Sequence, residues 1–211
     1  MKKVILFVSF LSIYCISVEG FSQSKLNYEI SSGYISNLTN KNVLGNWDHG
    51  WLFGFVISYS LTPSIKLLAN VSYQNLSYVG GNININYPDD EGFRTNIEGE
   101  STNVTELSLA TRFVNNDNFI KPYLTLRGGL FITDIGKILV EDWWEDNPGK
   151  KYITIYPGSG MLVKEGFASL GFGVIIPLTL NINLILESRL VSTFTTNNDL
   201  VPITSSIQFN F

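Results

Sequence analysis

Counted back from Phe211, the last twelve residues alternate in character. Phe211, Phe209, Ile207, Ser205, Ile203 and Val201 share one side of an extended chain, and Asn210, Gln208, Ser206, Thr204, Pro202 and Leu200 share the other. The first side is largely apolar and the second mostly polar, the period of two expected of a strand between two environments. Because the segment closes without a polar tail, the C-terminus is expected to lie within the structure. The chain must therefore build a sheet whose two faces differ.

The same pattern recurs upstream. Leu26, Tyr28, Ile30 and Tyr34 oppose Asn27, Glu29, Ser31 and Gly33 in a strand over 25–35. Trp51, Phe53, Phe55, Ile57, Tyr59 and Leu61 oppose Gly54, Ser58 and Ser60 over 51–61. Strands follow over 65–79 (Leu67, Ala69, Val71 against Lys66, Asn70, Ser72), near 104–113 (Leu107, Leu109, Phe113 against Glu106, Ser108, Arg112) and from Leu124 (Leu126, Leu130 against Arg127, Gly129). Two more run from about Ala168 (Leu170, Phe172, Val174 against Ser169, Gly171, Gly173) and from Leu180 (Leu184, Leu186, Leu190 against Asn183, Glu187, Arg189). No helical period appears after the first twenty or so residues, and no later run is apolar over the ~18 residues a spanning helix needs.

The reading is eight strands whose connections alternate in length. The short ones are 62–64, 114–121 and 177–179; the long ones are 36–50, 80–103, 136–163 and 191–199. Short turns at one end, long loops at the other and an even strand count describe a transmembrane barrel. A secreted lipocalin-like barrel shares the alternation with its faces reversed. Tyr28, Trp51, Tyr59, Phe113, Phe209 and Phe211 near strand ends favour lipid outside, as interfacial girdles. An aromatic residue closing an alternating strand resembles the terminal strand of bacterial outer-membrane barrels. That resemblance implies that Phe209 and Phe211 are an assembly signal and that the barrel-assembly machinery is a partner.

Composition agrees with this class. Only 15% of the 211 residues are charged, against about a quarter in a soluble domain. Residues 1–22 read as a cleaved signal peptide: Lys2 and Lys3 lead an apolar core over 4–18, and Gly20-Phe21-Ser22 supplies small residues at the cleavage site. The domain expected after it is one barrel over 23–211. The sole cysteine, Cys15, lies in the leader, so the mature chain has no thiol or disulfide chemistry. Removing Lys2, Lys3 and Glu19 from 14 basic and 18 acidic residues leaves an acidic protein, which argues against nucleic acid as a partner.

The polar faces carry Glu29, Lys66, Glu106, Arg112, Arg127, Glu187 and Arg189, with Glu165 near a rim. In an eight-stranded barrel side chains fill the interior, and charges confined there must pair. Here the chain resembles the small outer-membrane barrels of the OmpX, Ail and OmpA type, whose lumens hold ionic networks. A packed polar plug is favoured by size over a conduit. His49, in Trp47-Asp48-His49-Gly50-Trp51, invites a comparison with rim triads of acyl-processing barrels, yet no serine stands in a nucleophile motif. One histidine and no mature cysteine build no ordinary metal site, and no cofactor is expected.

Both longest loops contain strand-like halves about a turn: 82–87 and 93–98 around Pro88-Asp89-Asp90-Glu91-Gly92, and 137–144 and 150–157 around Glu145-Asp146-Asn147-Pro148-Gly149. They are expected to be hairpins that prolong their own strands beyond the membrane. A continuous strand from Leu124 to Trp144 would rise roughly 45 Å, well above an apolar band of about 25 Å. Trp143 and Trp144 at its tip are candidate surface contacts for an extracellular protein or glycan. The function expected is therefore non-enzymatic: a barrel in outer-membrane lipid with a structural or adhesive role through its loops. The alternative is a small porin-like transport or receptor barrel for a small ligand, apolar or otherwise.

Overall fold

The computed structural model describes residues 26–37, 47–79, 81–83, 93–144, 151–155, 159–194 and 199–210. The leader and Phe211 lie outside the described residues. Among those described, every element is a strand, and no helix is long and apolar enough to cross a membrane.

Eight strands close into a barrel: β1 (Leu26–Asn37), β2 (Trp47–Thr62), β3 (Ile65–Tyr78), β6 (Thr102–Val114), β7 (Lys121–Asp134), β10 (Leu162–Pro177), β11 (Ile182–Thr193) and β12 (Asp199–Asn210). All neighbours are antiparallel, and the ring is sealed by β1 against β12, with Tyr28 opposite Phe209 and Tyr34 opposite Ile203. Closure removes every sheet edge from the apolar layer, where an unpaired backbone group would have no water to bond. The β2–β3 ladder shifts register at Trp47/His49 and Ser60/Thr62, and the β11–β12 ladder has a gap. Pairing of β11 with β12 passes from Ser188–Ile203 to Val191–Leu200, skipping Pro202, which has no N–H to donate.

The two faces divide as their alternation predicts. Ile30, Tyr34, Phe53, Leu67, Leu109, Leu126, Leu130, Phe172, Leu186 and Ile203 are exposed on the outer wall, and Glu29, Ser31, Ser72, Glu106, Arg112, Thr125, Glu187, Arg189 and Gln208 are buried within. Aromatic pairs sit on that outer wall, Trp51 with Tyr73 at 5.7 Å and Tyr28 with Phe55 at 6.2 Å between ring centroids. A soluble barrel would show the opposite distribution.

The lumen also holds apolar side chains that the alternation did not reveal. Near the long-loop end each barrel strand contributes one: Ile35, Leu52, Leu76, Val104, Phe131, Phe167, Val191 and Leu200 form one buried cluster, with Trp47 packed against it. Phe131 and Phe167 stack at 4.1 Å across β7 and β10. At the other end Val114, Tyr123, Ile175 and Ile185 form a second cluster. Phe131→Leu should keep most of the packing and lose the ring pair, lowering barrel stability in detergent unfolding by about 0.5–1.5 kcal/mol.

The long loops depart from expectation in two ways. The strand expected to run unbroken from Leu124 to Trp144 stops at Asp134 and restarts as β8 (Ile138–Trp144). Glu100 N–H donates to the Lys137 carbonyl at 2.8 Å, and Gly136 N–H to Thr102 Oγ1 at 3.0 Å. A Cβ on Gly136 would strike the backbone of Glu100 and Ser101, so the close crossing requires glycine. Second, the two hairpins do not simply prolong their own strands. β4 (Gly81–Ile83), β5 (Phe93–Gly99), β8 and β9 (Lys151–Ile155) form a separate sheet, order β4-β5-β8-β9, in which β5 of one loop pairs with β8 of the other.

Candidate functional site

Two regions gather functional side chains: the lumen and the outer sheet. In the lumen the strand registers place three carboxylates against three guanidiniums. Arg112 on β6 holds Glu29 on β1 through two bonds, Nη1–Oε1 at 2.8 Å and Nη2–Oε2 at 3.2 Å. Gln208 Nε2 donates to the same Glu29 Oε1 at 2.9 Å. The Arg112 guanidinium lies over the Tyr123 ring at 4.6 Å and reaches Glu187 Oε2 at 3.8 Å. Glu187 also accepts from Tyr123 Oη at 2.9 Å and Arg127 Nη2 at 3.5 Å.

Glu106 is the hub. It accepts from Arg127 Nη1 at 3.1 Å and from Arg189 Nη1 and Nη2 at 3.2 and 3.4 Å. Asn70, Ser72, Gln74 and Ser108 donate to it at 2.8–3.2 Å. Glu29, Arg112, Glu187, Arg127, Glu106 and Arg189 thus form an alternating chain of charge, buried in a low dielectric where each removal exposes its neighbours. Gly171 makes room for it: a Cβ there would sit 3.1 Å from Arg189 Cγ and 3.3 Å from Glu187 Cδ.

Lys66 differs from the other six residues named with it. It stands opposite Ser60 and Arg112, and joins no ion pair among the described residues. Arg112, opposite it on β6, grips Glu29 with two donors of its planar fork, where an ammonium is a point charge. Glu165 is buried at the long-loop rim.

Between the charges and the apolar clusters remains a cavity of about 20 Å³ lined by Glu29, Arg112, Arg127, Glu187 and Arg189 among others. That volume admits about one water. Among the described residues, an apolar ring above, a smaller cluster below and an ionic layer between pack the lumen.

His49 lies on β2, not in a loop, because that strand begins at Trp47. Its Nδ1 is 3.8 Å from Asp48 Oδ2, and its ring stacks on Tyr34 at 6.1 Å. Its cross-strand neighbours are Ser36 of β1 and Ser77 of β3. Phe209 is half-buried between Tyr28 of β1 and Ile182 of β11.

The outer sheet brings together residues from two distant loops. Thr95 Oγ1 donates to Asp142 Oδ1 at 2.7 Å across β5 and β8. Trp47 Nε1 donates to the Glu100 carbonyl at 3.1 Å, tying the sheet's base to the barrel rim. Trp143 stands opposite Arg94 and Lys151, and the Lys151 ammonium lies 5.4 Å from the Trp143 ring. Trp144, opposite Phe93, is exposed. Sequence reasoning found these tryptophans but not Leu139, Tyr152, Ile153 and Ile155, which are exposed on the same two strands; the signal for the last three was the β-prone stretch Tyr152-Ile153-Thr154-Ile155.

No protein-family model matches the chain, and no curated protein matches it in sequence. Solved structures do match. Neisserial surface protein A (NspA) is 13% identical over 90% of this chain and 100% of its own, with a TM-score of 0.53. The N-terminal β-barrel domain of Pseudomonas aeruginosa OprF is 14% identical (89% and 100% covered, TM-score 0.46). Ail, the attachment invasion locus protein of Yersinia pestis, is 10% identical (89% and 99% covered, TM-score 0.46). Apolar outside, ionic within and closed on itself, the chain has the fold of the small eight-stranded β-barrels of bacterial outer membranes.

Proposed function

We propose that this protein is a non-catalytic recognition barrel of the cell surface, in which the transmembrane strands are an anchor and the outer sheet is the working part. One observation carries the reading: hairpins from two separate long loops are knitted through β5 and β8 into a single sheet. Ordering two loops in this way costs conformational entropy, which a mere connection between strands does not need. The result is a rigid platform of the kind that presents binding residues. Trp143 and Trp144 at its distal end suit a protein or glycan surface. The packed lumen supports the same reading.

Replacing residues 137–157 by a tight turn tests this in cells displaying the full-length protein. Retention of the cells on protein- and glycan-coated surfaces should fall to background, while the amount of folded barrel and its unfolding midpoint stay close to those of the parent. Full retention after trimming would place recognition elsewhere.

A further inference from the structure

β10 has 16 residues, a rise of roughly 40 Å at the usual tilt, against an apolar band of about 25 Å. Asp134 and Lys164 put charge on the outer wall near the rim, where β7 meets β10. The sheet beyond that rim stands in water, yet its edge strand is not built for water. All five residues of β9 are exposed, Tyr152 at 64%, Ile153 at 66% and Ile155 at 57%. β9 pairs with β8 on one side and, among the described residues, with no strand on the other. Edge strands are ordinarily guarded by charge, proline or a bulge. The one charge here, Lys151, is turned back onto its own sheet, 3.1 Å from Glu141 and over the Trp143 ring.

We propose that β9 is a homotypic adhesion strand, pairing antiparallel with β9 of a second copy of this protein on an opposing cell. The proposal rests on the surface-recognition reading above and names the partner. First, Lys-Tyr-Ile-Thr-Ile is complementary to itself. Centred on Ile153, the antiparallel pairing sets Tyr152 against Thr154 of the second copy, an aromatic on a β-branched residue, and Ile153 against its own counterpart. Lys151 falls against Ile155, so no like charges meet. Second, the chain direction selects the geometry. β8 leaves the rim just after β7 and β9 returns toward β10, so the Ile155 end of β9 is nearer the barrel. An antiparallel partner has its barrel beyond the other end, in a facing membrane. Third, a five-residue strand pair is too small for a stable dimer of two free molecules; arrays on two apposed surfaces multiply it by avidity. Leu139, beside Ile155 on β8, extends the apolar strip to be covered.

The test uses two populations of non-aggregating cells displaying differently tagged full-length protein. Suspensions of the parent protein should settle, and Ile153→Lys or Ile153→Glu should each abolish settling at unchanged surface level. Mixing the Lys and Glu populations should restore it, because the two side chains meet across the pair. Ile153→Cys, the only thiol in the mature chain, should give a disulfide dimer carrying both tags. Failure of the parent to settle, settling of either charged variant alone, or no rescue on mixing would overturn the proposal. Adhesion to foreign surfaces without self-settling would overturn the homotypic partner and leave the recognition reading standing.

Discussion

Glu106→Ala is expected to destabilise the barrel by about 3–5 kcal/mol, the cost of leaving buried charge without its counterion. The carboxylate is fully buried and is the shared acceptor of Arg127 and Arg189. Its loss strands two guanidiniums, of which only Arg127 and Arg189 contacts to Glu187 at 3.5 and 3.6 Å remain. Glu106→Gln should cost less, since the amide still accepts from some of the same donors. Glu98, exposed on the outer sheet, should change stability by under about 0.5 kcal/mol when replaced by Ala. Equilibrium unfolding in detergent or lipid reads all three. Equal effects at Glu106 and Glu98 would mean the lumen is wet and its charges screened.

Leu126→Arg should cost about 2–4 kcal/mol, the penalty for an arginine on the lipid face near mid-depth. Leu126 is exposed on the outer wall of β7, opposite Leu170 and Thr111. Leu126→Phe, apolar and on the outer wall, should fold nearly as well as the parent. Refolding into bilayers distinguishes them. An arginine tolerated as well as the phenylalanine would mean that this wall faces water.

Much of this was legible in the sequence because lipid and lumen make opposite demands on alternate residues. Glu29, Arg112 and Glu187 betray the inner face by falling on the polar side of otherwise apolar strands. The apolar ring was not legible for the same reason. Leu52 beside Phe53, and Phe131 between Leu130 and Ile132, are apolar on both faces, and a period of two reports only differences between faces. The pairing of β5 with β8, from Gly99 with Ile138 to Phe93 with Trp144, joins residues distant in sequence, which local periodicity does not encode. The break before β8 had a signal, Gly136, whose meaning depends on a crossing with Glu100 visible only in three dimensions. Lys66 shows the limit of counting charges. Position on a polar face does not decide which base wins a carboxylate; the geometry of the fork does.

Single-channel recording on the full-length, refolded protein in a planar bilayer tests most directly whether the barrel is an anchor with a closed lumen. The apolar ring and the ionic layer predict no sustained unitary conductance, either in the parent or after residues 137–157 are trimmed. Stable, ion-selective steps from the parent protein would contradict the account and make the lumen the working part.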